Sequence, residues 1–342
     1  MILKELSEAY GVSGNEDDVR SIVVDAVQDH VDDIQIDALG NVLTVKHGTG
    51  EDPMRVMLAA HMDEVGLMVV DHDDKGLLKV QAVGGIDARL LPGTLVAVGR
   101  DRISGVIGIK PIHMVESDEM KKVSKIEDLM IDIGAKKKDE AEEAAPLGTY
   151  ATFATRYREL GPTVTGKAFD DRAGCAVLVE LLRGERFSFD LHGVFTVQEE
   201  VGLRGAQVAA YAVHPDCAFV LEGTIADDTP KEKKDVSPTT EVGKGPAITV
   251  MDRSFIADRR LVQLLTGTAT ELGIPCQIKQ PGRGGTDAGA IHLSREGVPS
   301  VAVSVPARYI HSPAALLSLQ DFDDTVRLMR ESLSRLAWET LR

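Results

Sequence analysis

RVMLAAHMDEVGLMVV, residues 55–70, joins two textures of sequence end to end. Five apolar side chains follow Arg55 without interruption, and a run of that kind fits a central strand covered on both faces. From about residue 66 the pattern changes. GLMVVDHDDKGLLKVQAVGGIDARLLPGTLVAVGRDRISGVIGI (66–109) is a series of short alternating runs divided by Asp-Lys-Gly, Gly-Gly, Pro-Gly and Gly-Arg-Asp turns. Small barrels and sandwiches read this way.

The flanks are of a different kind. Residues 15–30 read as a helix, with Val19, Ile22, Val23, Ala26 and Val27 at helical spacing, and NVLTVKHG (41–48) reads as a strand. A charged stretch, ESDEMKKVSKIEDLMIDIGAKKKDEAEEAAPLG (116–148), holds one strand-like core, DLMIDIG, and a short helix after it. From about residue 163 helix and strand alternate. Helices are expected at 172–183, 204–213, 254–272, 286–296 and 319–341, and strands at 193–198, 217–222, 247–251, 275–280 and 299–305. That alternation predicts an α/β fold, a mixed sheet with helices on both faces. Residues 1–66 and 163–342 would form it, with 67–162 inserted as a small β-rich, barrel-like domain.

Composition narrows the partners. With 342 residues, 43% hydrophobic and 27% charged, the chain is long enough for two domains of an ordinary soluble protein. The formal charge of −16 disfavours nucleic acid and anionic membranes. No apolar run approaches the length of a membrane span, and the start has neither the basic region nor the apolar core of a secretion signal. A cytoplasmic protein is the expectation. Cys175, Cys217 and Cys276 are too few and too scattered for a disulfide framework, and buried free thiols are expected.

In open α/β sheets ligands bind beyond the carboxyl ends of the strands. RVMLAA is followed by His61-Met62-Asp63-Glu64, VFTV (194–197) by Gln198-Glu199-Glu200, CAFVL (217–221) by Glu222, and SVAVSVPARYI (300–310) by His311. Asp170 and Asp171 stand in AFDDRAG (168–174), at the start of a helix. Singly, each has an ordinary explanation: a satisfied histidine, an N-cap, a carboxylate paired with an arginine. Together, two histidines and several carboxylates at one edge are the donor inventory of a divalent-metal site. Asp63, two residues beyond His61 in an extended segment, can hold the second ring nitrogen of a metal-bound histidine. At a strand end the turning backbone lets both Glu199 and Glu200 border one cleft, one as a ligand and the other free to take a proton.

AHMDEVGLMV, GKAFDDRAGCAVLVELL, TVQEEVGLRGA, LEGTIADDTP and GRGGTDAGAIHLSREGVPSVAVSVPARYIHSP occur in this order between about residues 58 and 315. They closely resemble the motifs of the co-catalytic metallo-aminopeptidases of the glutamyl-aminopeptidase / cellulase-M-like family, which includes the tetrahedral aminopeptidases. The terminal helices fit as well, so the resemblance covers essentially the whole chain. It implies an α/β catalytic domain interrupted by a small β-rich dimerisation domain, two divalent metals (zinc or cobalt) per subunit, and removal of N-terminal residues from peptides. By position His61, Asp170 and Glu222 would hold one ion and Asp170, Glu200 and His311 the other, with Asp170 bridging. Glu199 would be the general base, Asp63 the partner of His61, and Asp171 would follow the bridging ligand across an unusual peptide bond. Many members carry Asp where this chain has Glu222. The choice of Asp170 over Asp171 rests on the resemblance alone. Members often assemble from dimers into tetrahedral dodecamers.

Two other chemistries fit part of the pattern. A glycosidase needs only two carboxylates, but it would leave His61 and His311 without a task, and one Trp and five Tyr are few for stacking sugars. A deacylase on the same metals would take N-acylated substrates. A scaffold that keeps the fold without catalysis does not explain so complete a ligand set.

Overall fold

In a computed structural model, residues 2–116, 122–230, 239–282 and 284–342 are described. Helices α1 (Ile2–Glu8) and α2 (Asp17–Val27) lead into strands β1 (Asp33–Ile36), β2 (Val42–Lys46) and β3 (Arg55–His61). Next come β4 (Gly66–His72), β5 (Leu78–Val83), β6 (Leu95–Val98), β7 (Ile103–Ile107), β8 (Met130–Asp132), helix α3 (Lys138–Ala144) and β9 (Tyr150–Phe153). The chain continues through β10 (Arg158–Leu160), β11 (Thr163–Gly166), α4 (Phe169–Leu182), β12 (Asp190–Thr196), α5 (Arg204–Val213) and β13 (Cys217–Ile225). It ends with β14 (Ala247–Thr249), α6 (Arg259–Leu272), β15 (Gln277–Lys279), α7 (Ala288–Ile291), β16 (Ser300–Arg308), β17 (Ala315–Ser318) and α8 (Leu319–Arg335).

The quoted stretch divides the fold where its texture divides. Strand β3 lies inside an 11-stranded mixed sheet of order β1-β2-β12-β3-β13-β16-β17-β11-β10, with β14 beside β16 and β15 beside β14. Strands β12 and β13 flank β3 in parallel, and Thr196 stands opposite His61. Alternate residues of β3 feed two cores. Val56, Leu58 and Ala60 pack with residues of α1, α2, α4 and α8, while Met57 and Ala59 pack against α5 and α7. Leu58 is fully buried, so Leu58→Ala is expected to cost about 2–5 kcal/mol.

Beyond Val65 the chain leaves this sheet. Strands β4 to β9 close a barrel of order β4-β5-β8-β7-β6-β9, filled by Leu67, Val69, Leu78, Val80, Val98, Ile107, Ile131 and Phe153. Closure pairs the strand edges that would otherwise stay open. Strand β10, which falls within the 67–162 segment, pairs with β11 at the edge of the large sheet.

Several elements are shorter than periodicity predicts. The helix expected from residue 254 starts at Arg259, because Asp258 caps it by accepting the N–H of Arg260. The residues before it form a turn around Asp252, whose carboxylate accepts the N–H groups of Ser254 and Phe255. The helix expected over 286–296 is only Ala288–Ile291, followed by left-handed backbone at Arg295 and Gly297. Of the charged stretch, β8 and α3 are formed, while residues 117–121 lie outside the described residues. Cys175 and Cys217 are buried free thiols, but Cys276 is only partly covered. No helix of the described residues is long and apolar enough to cross a membrane.

Candidate metal centre and active site

The parallel register sets the floor of the site. Because β3, β12 and β13 run side by side in one direction, the last residue of β3, the turn after β12 and the later part of β13, which runs on to Ile225 beyond the expected end at 222, deliver His61, the Glu199-Glu200 turn and Glu222 to one edge. Strand β12 stops at Thr196, and Gln198 adopts a left-handed φ of 56°. The two glutamates therefore sit on a turn rather than on opposite faces of a strand. Asp63 fastens that turn, its carboxylate accepting the N–H of Glu199 at 3.0 Å and of Glu200 at 3.1 Å. His311 arrives from the loop after β16, on left-handed backbone with φ 57°.

All eight residues singled out in the sequence, His61, Asp63, Asp170, Asp171, Glu199, Glu200, Glu222 and His311, come together here. Asp170 lies between the two histidines, Oδ1 3.2 Å from His61 Nε2 and Oδ2 3.2 Å from His311 Nε2. Glu222 Oε2 is 3.7 Å from His61 Nε2, and Glu200 Oε1 is 3.3 Å from His311 Nε2. Asp170, Glu200 and His311 each offer an atom within 4.8 Å of the others, and so do His61, Asp171 and Glu222. The last grouping brings in Asp171, joined to Asp170 by a cis peptide bond. Both Asp171 oxygens are already engaged, Oδ2 by the N–H of His61 and Oδ1 by that of Gly174.

Electrostatically, these groups do not balance on their own. Burial raises the Glu222 and Glu199 carboxyls well above the usual range and the Glu200 carboxyl to about 8. Burial would raise Asp170 too, but hydrogen bonds from His311 and His61 outweigh it and hold that carboxyl below its ordinary value. The same contacts overcome desolvation at His311 and lift its imidazole to about 10. Glu222 Oε1 is buried with no hydrogen-bond partner. An orphaned carboxylate oxygen beside other acidic groups and two imidazoles is a donor set that fits a metal cation, which would supply the missing positive charge. The Glu199 carboxylate has no hydrogen-bond or ion-pair partner among the described residues.

Each histidine has its other nitrogen fixed. His61 Nδ1 is 3.1 Å from the backbone oxygen of Asp63 and 3.3 Å from its Oδ1. His311 Nδ1 lies 2.9 Å from the carbonyl of Gly85, which belongs to the segment following barrel strand β5. Both arrangements leave Nε2 aimed at Asp170.

Sequence reasoning missed several residues that support the site. Ser13 donates to Asp63 Oδ2 at 2.6 Å, and the Asn41 side-chain oxygen accepts the N–H of Val197 at 2.9 Å. Thr196 hydrogen-bonds the fully buried Asp287, whose carboxyl burial raises to about 6. Lys167 Nζ donates to both oxygens of Glu64, at 2.6 and 2.8 Å, and Arg172 joins them at 3.3 Å. Charges inside the strings HMDEVG and GKAFDDRAG could have flagged that pair, whereas Gly85 acts through a carbonyl that every residue has.

Similarity to known proteins gives the family. The profile of the M42 glutamyl aminopeptidase family matches residues 40–328. A lysyl aminopeptidase of Pyrococcus furiosus is 36% identical over 349 aligned residues, covering 98% of this chain and 96% of its own. A TET aminopeptidase from the marine sediment archaeon Thaumarchaeota archaeon SCGC AB-539-E09 superposes with a TM-score of 0.94 at 39% identity, over 99% of this chain and 97% of that one. The TET1 peptidase of Pyrococcus horikoshii, described as assembling into a tetrahedron or a large octahedral shell, superposes with a TM-score of 0.86 at 34% identity, over 98% and 99% of the two chains. With a family match over most of its length and relatives aligned nearly end to end, the chain is a peptidase and belongs to the M42 glutamyl aminopeptidase family.

Proposed function

We propose that the protein is a metal-dependent aminopeptidase that removes N-terminal residues from peptides. His61, Asp170 and Glu222 would hold one divalent cation, zinc or cobalt, and Asp170, Glu200 and His311 the other. The observation that carries the reading is Asp170, one carboxylate whose two oxygens face two different histidines at 3.2 Å each. The engaged oxygens of Asp171 favour Asp170 as the shared ligand. When bound, two such cations lower the pKa of a water molecule and polarise the peptide carbonyl.

The chain's own residues do the rest. Glu199, fixed through its backbone by Asp63 and free at its carboxylate, accepts a proton from the attacking water and returns it to the leaving amine. Burial raises its pKa, which strengthens it as a base. Asp63 keeps His61 oriented and places both glutamates. Residues 1–66 and 163–342 form the catalytic unit in this reading, and 67–162 the β-rich unit through which subunits dimerise. The neighbour that can assemble into a tetrahedron or a large octahedral shell, and a neighbour solved as a dodecamer, support higher assembly as well, a dodecamer in this reading. The deciding experiment compares an aminoacyl anilide with its N-acetylated form before and after chelation. Turnover of the free amine, lost with the chelator and restored by zinc or cobalt, is expected. Preference for the acetylated form would make the protein a deacylase instead.

A further inference from the structure

The two histidines at the centre are oriented by different parts of the fold. His61 is 1% exposed, and its Nδ1 faces Asp63, two residues along the same chain segment. His311 is held otherwise. It stands on a loop with left-handed backbone at Tyr309 and at His311 itself, and its side chain is 35% exposed. The only Nδ1 partner recorded for it among the described residues is the Gly85 carbonyl, at 2.9 Å and 226 residues away in sequence. Gly85 follows β5, a strand of the barrel.

The neighbouring positions show how closely that segment is seated. Gly84 has φ +81°, and a Cβ added there would lie 2.8 Å from Val65 Cγ1 and 3.3 Å from the Cβ of Glu200. A Cβ at Gly85 would lie 3.5 Å from His311 Nδ1, an ordinary van der Waals contact, so the γ carbons of a branched side chain would stand beside the imidazole. Thr155, just after β9, also hydrogen-bonds the carbonyl of Pro313, two residues beyond His311. Barrel and post-barrel segments thus hydrogen-bond the His311 loop at two places, and a side chain at Gly84 would crowd Glu200 at a third.

From this juxtaposition we propose that the barrel is a positioning element of the active site, its Gly84-Gly85 segment orienting His311 and seating Glu200 so that the Asp170–Glu200–His311 position binds metal. The inference rests on the two-cation reading and deepens it. A backbone carbonyl accepting from Nδ1–H fixes the tautomer, leaving the Nε2 lone pair for the ion; losing such support typically weakens metal affinity about 10–100-fold. Among the described residues, no barrel residue hydrogen-bonds His61 or Glu222. The two positions should therefore respond differently to a change in the barrel.

The test is a cobalt titration of the full-length, metal-free protein, followed by calorimetry and by the visible absorption of bound cobalt. The variants are Gly85→Val, Gly85→Ala and Gly84→Ala, with His311→Ala marking the position in question. Two binding events are expected in the wild type. His311→Ala should remove one, Gly85→Val should weaken that same one about 10–100-fold with an altered cobalt spectrum, and Gly85→Ala should largely restore it. Gly84→Ala should act as Gly85→Val does. Thermal melting of each metal-free variant separates this from unfolding. Wild-type affinity in both Gly85→Val and Gly84→Ala, or equal weakening of both events, overturns the proposal and leaves the two-cation reading standing. A wild type that takes up no cobalt overturns both.

Discussion

Asp63 Oδ1 accepts the backbone N–H of Glu199 at 3.0 Å while lying 3.3 Å from His61 Nδ1. One buried carboxylate thus sets the direction of a histidine and the place of the residue proposed as base. Its charge is sustained there because the hydrogen bonds from His61 and Ser13 outweigh the burial that would otherwise raise its pKa.

Replacing Asp63 should therefore damage two functions together. Asp63→Asn keeps the shape but puts an amide N–H₂ where one of its two acceptor oxygens stood, so an N–H of the 199–200 turn loses its partner in either orientation, and His61 Nδ1 loses its contact with Oδ1 as well when the amide nitrogen takes that place. Metal affinity should fall about 10–100-fold, with kcat falling further than metal loading alone explains. Cobalt titration and kinetics at saturating metal separate the two effects. Full activity at saturating metal would mean that Asp63 does not place Glu199.

Glu199 and Glu200 should part company on substitution. Glu199→Gln removes a base without removing a ligand, so kcat should drop about 10²–10⁴-fold while both metal-binding events persist. Glu200→Gln should instead weaken one binding event, because its Oε1 lies 3.3 Å from His311 Nε2. Stoichiometry by calorimetry alongside kcat decides. Near-normal turnover in Glu199→Gln would remove it as the base.

The sequence displays the fold and the ligand set for a physical reason, and hides the supports for another. Five uninterrupted apolar residues before His61 cannot be a half-exposed strand, and charged groups at the ends of such strands need an explanation local to them. Turn residues likewise divide the 66–109 segment at the spacing of short strands. By contrast, Gly85 acts on His311 through a carbonyl, Ser13 reaches Asp63 across 50 positions, and Asn41 reaches Val197 across 156. Such contacts depend on how distant segments pack. Helix α7 is shorter than its apolar periodicity predicts, because left-handed backbone at Arg295 and Gly297 ends the helical path that the pattern continues past Ile291.

Metal removal should make stability depend on pH in a definite direction. The Glu200 carboxyl is raised to about 8 in the folded chain, against an ordinary value near 4.5, and those of Glu222 and Glu199 are raised as well. The folded state then binds more protons than the unfolded one between those pH values, so stability falls as pH rises through the folded pKa. The metal-free protein should melt at a lower temperature at pH 8 than at pH 5. With zinc or cobalt bound the carboxylates are already deprotonated, and that slope should flatten or reverse. Parallel slopes with and without metal would remove these glutamates as ligands.

A buried cluster of charges, Glu64, Lys167 and Arg172, lies next to the ligand-bearing segments. Lys167 and Arg172 are fully buried, and Glu64, 2% exposed, is the carboxylate that both of them meet. Desolvation lowers the Lys167 pKa to about 8, although Glu64 pulls it upward. Breaking a buried pair by removing one partner costs about 3–5 kcal/mol, because the other charge is left uncompensated. Here the two directions are unequal. Glu64→Gln strands two cations, whereas Lys167→Met leaves Glu64 with Arg172, so Glu64→Gln should destabilise more in urea unfolding at pH 7. Activity should suffer in both. Glu64 is next to Asp63, Lys167 is three residues before Asp170, and Arg172 Nε donates to the Met62 carbonyl at 2.8 Å, so the network joins the two segments that carry the ligands. A Glu64→Gln variant as stable as Lys167→Met would show that the pair is not compensated through Glu64 as its geometry requires.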